Sequence, residues 1–159
     1  MADNFNTKEA GGFGLTPEEQ RRNNMLPYAQ IFVDYLDQES IKYTVRDERS
    51  VKIVYSGNEM DSIPVFVFFD KDGDPYVTLK CWEIANFKNN PERGMQVCNE
   101  LNAKYRWVKF YIDSDNDVMA ELDAVIDQDT CGAECLHLVR RMVSIVDGAF
   151  PTVQKARWA

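Results

Sequence analysis

The sequence predicts a two-layer α+β domain in which helices pack on an antiparallel sheet. Several segments alternate apolar and polar residues with a period of two, as half-buried antiparallel strands do. Other segments repeat apolar residues at spacings of three and four, as amphipathic helices do. Turn residues, mostly Asp, Asn and Gly, separate the strands. The predicted order is helix, three or four strands, helix, two strands, helix, with about five strands in all.

In the first half of the chain, apolar spacing predicts a helix near residues 26–39. Alternation then predicts strands at residues 41–45 and 51–55. The stretch IPVFVFFD, from Ile63, is apolar on both faces and predicts a third strand. The turn DKDGDP joins it to a fourth, which starts at Tyr76.

In the second half, Asn90 is predicted to cap a helix that ends near Lys104. Two strands, WVKFYI and VMAELDAVID, flank the stretch DSDND. A last helix is predicted from Asp129 or Thr130, and Pro151 is expected to end it. The tail after Pro151 is expected to form at most one more turn, with Val153 and Trp158 available to anchor it to the domain.

The alternating aspartates of DSDND pose a choice between a calcium loop and a turn. Counted from Asp113, the sixth and twelfth positions of an EF-hand loop should be Gly and Glu, but they are Val118 and Ala124. The run that starts at Asp70 fails in the same way, with Pro75 in the sixth position. Both runs are therefore interpreted as hairpin turns, and no metal site is predicted.

Length and composition indicate an ordinary globular protein: 159 residues, 45% hydrophobic and 28% charged. We expect residues 1–24 to form a flexible segment and residues 25–159 a single domain. No apolar run approaches the ~20 residues needed to cross a bilayer, and the start lacks the pattern of a secretory signal. These features predict a cytoplasmic protein whose four cysteines are reduced.

The formal net charge of -8 argues against binding to nucleic acid or to an anionic membrane. Residues 110–138 hold eight acids and no Lys or Arg. This stretch either forms a solvated face or serves a basic partner, and the sequence leaves both interpretations open.

No catalytic pattern stands out, so no enzyme activity and no cofactor are predicted. His137 is the only histidine, and no nucleophile elbow, zinc-protease motif or phosphate-binding glycine loop is present. Cys131 and Cys135 lie at a predicted helix start, where a lowered thiol pKa would make them reactive. We favour a structural role for the pair and keep a thiol-based redox or metal response as the alternative.

The aromatic residues indicate a second apolar surface. Several large apolar side chains fall on the strand faces opposite the main core rows, where helices on one side of the sheet would leave them in water. Another helix, the tail with Trp158 or a second subunit would have to cover them. Scattered exposed aromatics are also common, whereas a contiguous patch is typical of a binding surface. The candidate partner surface consists of Phe66, Phe68, Trp82, Trp107, Tyr111 and Met119.

Four strings resemble the YbjN domain family of bacterial sensory-transduction regulators: IPVFVFFDKDGDPYVTL, CNELNAKYRWVKFYID, DVMAELDAVID and VRRMVSIVDGAFPTV. The resemblance covers Met25 to the C-terminus. It implies a strongly curved antiparallel sheet with helices around it, similar to type III secretion chaperones, which commonly dimerise and bind unfolded partner segments. Within NELN, Asn99 and Asn102 are expected to have a structural role rather than to bind a ligand.

Together, the residues and the resemblance predict a non-enzymatic protein-binding or chaperone-like regulatory protein. A homodimer that binds a protein or peptide partner is expected. The alternative function is the thiol-based response at Cys131 and Cys135.

Overall fold

A computed structural model describes residues 14–159, which form four helices and six strands. The helices are α1 (Pro17–Asn23), α2 (Pro27–Gln38), α3 (Pro91–Lys104) and α4 (Cys131–Trp158). The strands are β1 (Thr44–Asp47), β2 (Ser50–Tyr55), β3 (Ile63–Phe69), β4 (Tyr76–Cys81), β5 (Lys109–Ile112) and β6 (Val118–Val125). The predicted α+β class is confirmed, with six strands in place of about five.

All six strands join one antiparallel sheet in the order β1-β2-β3-β4-β6-β5. Because β4 pairs with β6, the shorter β5 becomes an edge strand, and β1 forms the other edge. The register aligns the outward-facing residues of neighbouring strands in rows across the sheet. One such row runs Lys52, Phe66, Lys80, Glu121, Lys109.

One face of the sheet, here called the inner face, lies against the helices and forms the core. Strand β3 shows the pattern: Ile63, Val65, Val67 and Phe69 are buried, whereas the residues between them are only partly buried. Helix α4 packs against α2, α3, β3 and β4, so it touches most of the domain. Each fully buried Val, Leu, Ile, Phe or Met side chain of this core contributes about 1.5–3 kcal/mol to the free energy of unfolding.

Helix α4 continues through Pro151 to Trp158, so the prediction that Pro151 ends it was wrong. Proline removes one backbone donor, but the residues after it bury Val153 and Ala156 in the core. This burial offsets the lost hydrogen bond. Val153 is thus an anchor as predicted, whereas Trp158 is 77% exposed and is not one.

Helix α1 lies inside the predicted flexible segment 1–24. Thr16 caps it in a capping box: the Thr16 hydroxyl accepts from the Glu19 amide, and the Glu19 carboxylate accepts from the Thr16 amide. None of its residues is buried. Residues 1–13 lie outside the described part of the chain, and the predicted flexibility of the segment remains a prediction.

Both aspartate runs form hairpin turns, as predicted. In the β5–β6 turn, the Asp113 carboxylate accepts hydrogen bonds from the Asp115 and Asp117 amides. In the β3–β4 turn, the Asp70 carboxylate accepts from the Asp72 amide at 2.8 Å. Along residues 14–159, none of the helices is both long enough and apolar enough to cross a membrane.

Candidate interaction surface

The face of the sheet opposite the helices, here called the outer face, carries a cluster of three aromatic rings. Phe66 and Trp82 stack with centroids 4.2 Å apart and planes 12° apart. Phe68 lies beside Trp82, with centroids 6.1 Å apart. All three side chains are partly exposed, because α2 and α4 pack on the inner face. This aromatic cluster brings together three of the six residues predicted for the partner surface.

Three cations surround the aromatic cluster. The Arg46 guanidinium lies 4.9 Å from the Phe66 centroid and 5.7 Å from that of Trp82. Arg49 lies 5.9 Å from the Phe68 centroid, and the Lys52 ammonium lies 5.8 Å from that of Phe66. Such contacts with ring faces are attractive by about 0.5–1 kcal/mol at exposed sites. Sequence reasoning missed these cations, although Lys52 alternates with the core residues Val51 and Ile53 and so had to face outward.

Beside the cluster, the outer face carries a charge ladder across β4, β6 and β5, formed by Lys80, Glu121 and Lys109. Glu121 lies 3.4 Å from the Lys80 ammonium and 3.0 Å from that of Lys109, and it accepts a hydrogen bond from the Tyr111 hydroxyl at 2.8 Å. Burial acts to raise the pKa of Glu121, but Tyr111 and the two lysines outweigh it and lower the pKa from 4.5. Burial and the bond to Glu121 raise the pKa of Tyr111 to about 12. Both groups thus keep one protonation state near neutral pH.

The remaining predicted surface residues divide between the two sides of the domain. Tyr111 and Met119 are cross-strand partners on β5 and β6, and Met119 is buried although it faces outward. Trp107 is 63% exposed, but its ring lies 5.3 Å from the Arg141 guanidinium on α4, on the helical side. Its backbone φ of 76° breaks the alternation before β5 begins. The structure therefore does not bring Trp107 to the outer face.

The acids of residues 110–138 are spread over several local contacts. Glu121 and Asp123 are paired with Lys109, which lies just before this stretch, and Asp123 also accepts from the Thr78 hydroxyl. Asp113 accepts backbone amides in its turn. Within residues 14–159, no three His, Cys, Asp or Glu side chains come together as a metal site would require.

Asn102 closes the edge of the sheet at β5. Its side-chain amide donates to the Phe110 carbonyl at 2.9 Å, and its side-chain oxygen accepts from the Phe110 amide at 2.7 Å. The Asn102 side chain thus makes the pair of hydrogen bonds that a neighbouring strand would make with Phe110, which is one way to protect a sheet edge from pairing with another chain. The structural role predicted for Asn102 is confirmed by these two bonds rather than by burial, since both Asn102 and Asn99 are exposed.

Cys131 and Cys135 meet as predicted, one helical turn apart, with Sγ atoms 3.9 Å apart. Both side chains are fully buried, and all four cysteines are free thiols. The hydrogen bond between the two lowers the pKa of Cys131, while that bond and burial raise the pKa of Cys135. The pair is shielded from solvent at the start of α4, beneath the Tyr28 carbonyl.

Asp147, which the sequence analysis did not single out, fixes the β2–β3 loop. Its carboxylate accepts hydrogen bonds from the backbone amides of Asn58, Glu59 and Met60 at 2.9–3.0 Å. These three bonds lower the pKa of Asp147. A polar residue in the apolar stretch VSIVDGAF was the signal that could have found it.

Comparisons with known proteins address the family and the fold. No curated protein matches the chain. Among solved structures, the domain is similar to the Yersinia pestis type III secretion chaperone SycH in complex with a stable fragment of YscM2, with 8% sequence identity and a TM-score of 0.40. The match covers 74% of this chain and 98% of that one, and a likeness of this size carries no inference about function.

The family comparison is more extensive. A family model described as "YbjN: Putative bacterial sensory transduction regulator" matches residues 29–155. This range runs from the first turns of α2 almost to the end of α4 and includes the whole sheet. The chain therefore belongs to the YbjN family.

Proposed function

We propose that the protein is a non-enzymatic, protein-binding regulator that binds its partner on the outer face. The observation that carries the proposal is the aromatic cluster of Phe66, Phe68 and Trp82, which lies partly exposed on a regular sheet face while the helices occupy the other side. Flat aromatic surfaces edged by Arg are typical of interface cores. The regulatory description of the YbjN family agrees with such a role.

The ionisable groups on the outer face support binding rather than catalysis. A general acid or base works best when its pKa lies near the operating pH. Here the pKa of Glu121 is lowered and that of Tyr111 is raised to about 12, so both move away from neutrality. Their hydrogen bond and the two lysines hold the ladder in a fixed charge state.

A cytoplasmic location and a homodimer are parts of the same proposal. Free thiols at all four cysteines agree with a reducing compartment. Light scattering over a range of protein concentrations tests the dimer: we expect twice the chain mass, and a single-chain mass at the highest concentration would contradict it.

Site-specific photo-crosslinking tests the proposed binding surface. Phe68, on the outer face, and Met95, which is 57% exposed on α3, are each replaced by a photo-reactive phenylalanine analogue. In cells of the source organism, we expect the probe at position 68 to crosslink a specific protein and the probe at position 95 to leave it uncrosslinked. Equal crosslinking from both positions, or none from position 68, would contradict the proposal.

The thiol alternative has one observation in its favour, the 3.9 Å contact between the Cys131 and Cys135 sulfurs. Their full burial opposes it, because a redox sensor needs access to its oxidant. A metal would need further ligands beside the pair, and the part of the chain described by the structure holds no such group of side chains.

A further inference from the structure

The outer face has a local surplus of positive charge. Arg46, Arg49 and Lys52 lie on the aromatic cluster, and none of them forms an ion pair with another residue between 14 and 159. Arg49 does have an acidic neighbour, because the Asp47 carboxylate accepts a hydrogen bond from its backbone amide at 3.0 Å. The acids on the same face are already engaged: Glu121 and Asp123 by the charge ladder and by Thr78, and Asp70, just after β3, by the backbone amide of Asp72. The unmatched charge is therefore basic, in a chain whose net charge is -8.

We propose that the partner of the outer face is an acidic peptide segment. Its carboxylates would pair with the cations of Arg46, Arg49 and Lys52, and its apolar side chains would pack beside Phe68 and Trp82. This inference rests on the proposed function and specifies the chemistry of the partner.

The geometry of the two sheet edges favours a segment that lies on the face over one that adds a strand. At β5, the Asn102 side chain already occupies the amide and the carbonyl of Phe110. At β1, the register shifts between Val45 and Asp47, which interrupts the regular ladder that an added strand would need. Side chains on the outer face, rather than backbone groups at an edge, therefore provide the contacts.

The overall negative charge does not prevent binding of an acidic segment. Charges separated by more than about 8 Å are largely screened at physiological ionic strength, so the nearby cations decide the interaction. The cations are also held close to the rings: Arg46 spans Phe66 and Trp82, and Arg49 donates to the Phe69 carbonyl at 3.2 Å. Such partial ordering lowers the entropy that is lost when a carboxylate binds.

Single-stranded nucleic acid is the other class of ligand that combines negative charge with a preference for aromatic surfaces. Bases stack on open ring faces, but Phe66 and Trp82 stack on each other and are covered by Arg46. A second copy of the outer face is also disfavoured, because its unmatched charges are cations as well, so the proposed homodimer uses another surface of the domain. A peptide with carboxylates fits the face better than either.

Fluorescence anisotropy with labelled synthetic peptides tests the proposal. The probe is a short peptide of Asp, Glu and Leu, and its counterpart replaces Asp and Glu by Asn and Gln. We expect the acidic peptide to bind at least about tenfold more tightly than its neutral counterpart, with an affinity that falls as salt is added.

Two triple variants of equal net charge place the binding on the outer face. The first is Arg46→Gln, Arg49→Gln, Lys52→Gln, and the second is Lys88→Gln, Arg140→Gln, Lys155→Gln. We expect the first variant to weaken binding of the acidic peptide about tenfold and the second to leave it unchanged. Because Arg49 also bonds to the backbone, the double variant Arg46→Gln, Lys52→Gln is measured too, and circular dichroism checks that each variant is folded.

Several results would overturn the inference. Equal affinity for the acidic and neutral peptides, or an equal loss in both triple variants, would show that the three cations do not select the ligand. Tighter binding of an oligothymidylate or of a Lys-rich peptide would point to another partner class. If crosslinking from position 68 still captures a protein while the acidic peptide fails to bind, the acidic partner is wrong and the proposed function stands.

Discussion

The two faces of the sheet are built from the same strands but are covered in different ways. On the inner face, aliphatic and aromatic side chains from β2, β3 and β4 are almost fully buried beneath α2 and α4. On the outer face, among residues 14–159, the side chains of Arg46, Arg49 and Lys52 lie over the aromatic cluster. The inner face is therefore closed by the fold itself, whereas the cover of the outer face can move aside or pair with a ligand.

This difference shows what apolar character on both sides of a strand can mean. Strand β3 is apolar at every position from Ile63 to Phe69, yet only alternate residues enter the core. The long stems of Arg and Lys shield part of the other side while their charged ends stay in water. Part of the cover that the sequence analysis expected from a helix, the tail or a second subunit is thus supplied by Arg and Lys side chains of the sheet itself.

The largest expected contrast comes from two neighbouring residues of β3. Phe69→Ala removes a buried ring from the inner face and leaves a cavity, so we expect a loss of about 3–5 kcal/mol in the free energy of unfolding. Phe68→Ala removes a partly exposed ring from the outer face and should cost about 1 kcal/mol. Urea denaturation measures both, and equal losses would mean that the two faces are equally closed.

The edge of the sheet gives an intermediate effect. Asn102→Ala leaves the Phe110 amide and carbonyl without their partners, and we expect it to cost about 2 kcal/mol. Asn99→Ala, on the same helix and exposed like Asn102, is the control and should change the free energy of unfolding by less than about 0.5 kcal/mol. Amide hydrogen exchange at Phe110 should accelerate in the first variant alone; unchanged exchange would show that Asn102 does not close the edge.

A smaller effect is expected from the charge ladder. Glu121→Gln keeps the shape of the side chain but removes its charge, and it should destabilise the protein by about 1 kcal/mol at pH 7 after allowance for solvent screening. Because the folded-state pKa of Glu121 is lowered, its contribution is present above its ordinary pKa of 4.5 and is lost as the pH falls through the lower folded value. The difference between the two proteins should therefore shrink below pH 4.5, and a constant difference down to acid pH would contradict the role of the charge.

The smallest expected effect is the reactivity of the cysteine thiols in the folded protein. Burial raises the pKa of Cys81 to about 12 and that of Cys98 to about 11, and Cys131 and Cys135 are fully buried. We expect no reaction with a bulky thiol reagent in the folded protein at pH 8 and reaction of all four cysteines after unfolding. Rapid labelling of Cys131 in the folded state would revive the thiol alternative.

The fold could largely be predicted because most strands are recognisable from alternating apolar and polar residues. The hairpin turns at Asp70 and Asp113 and the cap at Asn90 are local features, so they too could be anticipated. Pro151 could not be judged locally, because the helix continues there through the burial of Val153, which depends on distant partners.

The candidate site was predicted only in part, for a related reason. Phe66, Phe68 and Trp82 follow from alternation, and the register then brings them together. The position of Trp107 depends on a positive φ just before β5, which no spacing reveals. The cations at Arg46 and Arg49 lie around the irregular pairing of β1 with β2, where alternation is a poor guide.

The way α4 spans the domain has a consequence for synthesis on the ribosome. Every strand is translated before α4, so the inner faces of β3 and β4 stay uncovered until that helix has been synthesised. During translation, both faces of the sheet are therefore exposed to solvent for a time. The core is complete only after the last helix has left the ribosome and packed on the inner face. Chaperone capture of the growing chain would be needed most during that interval.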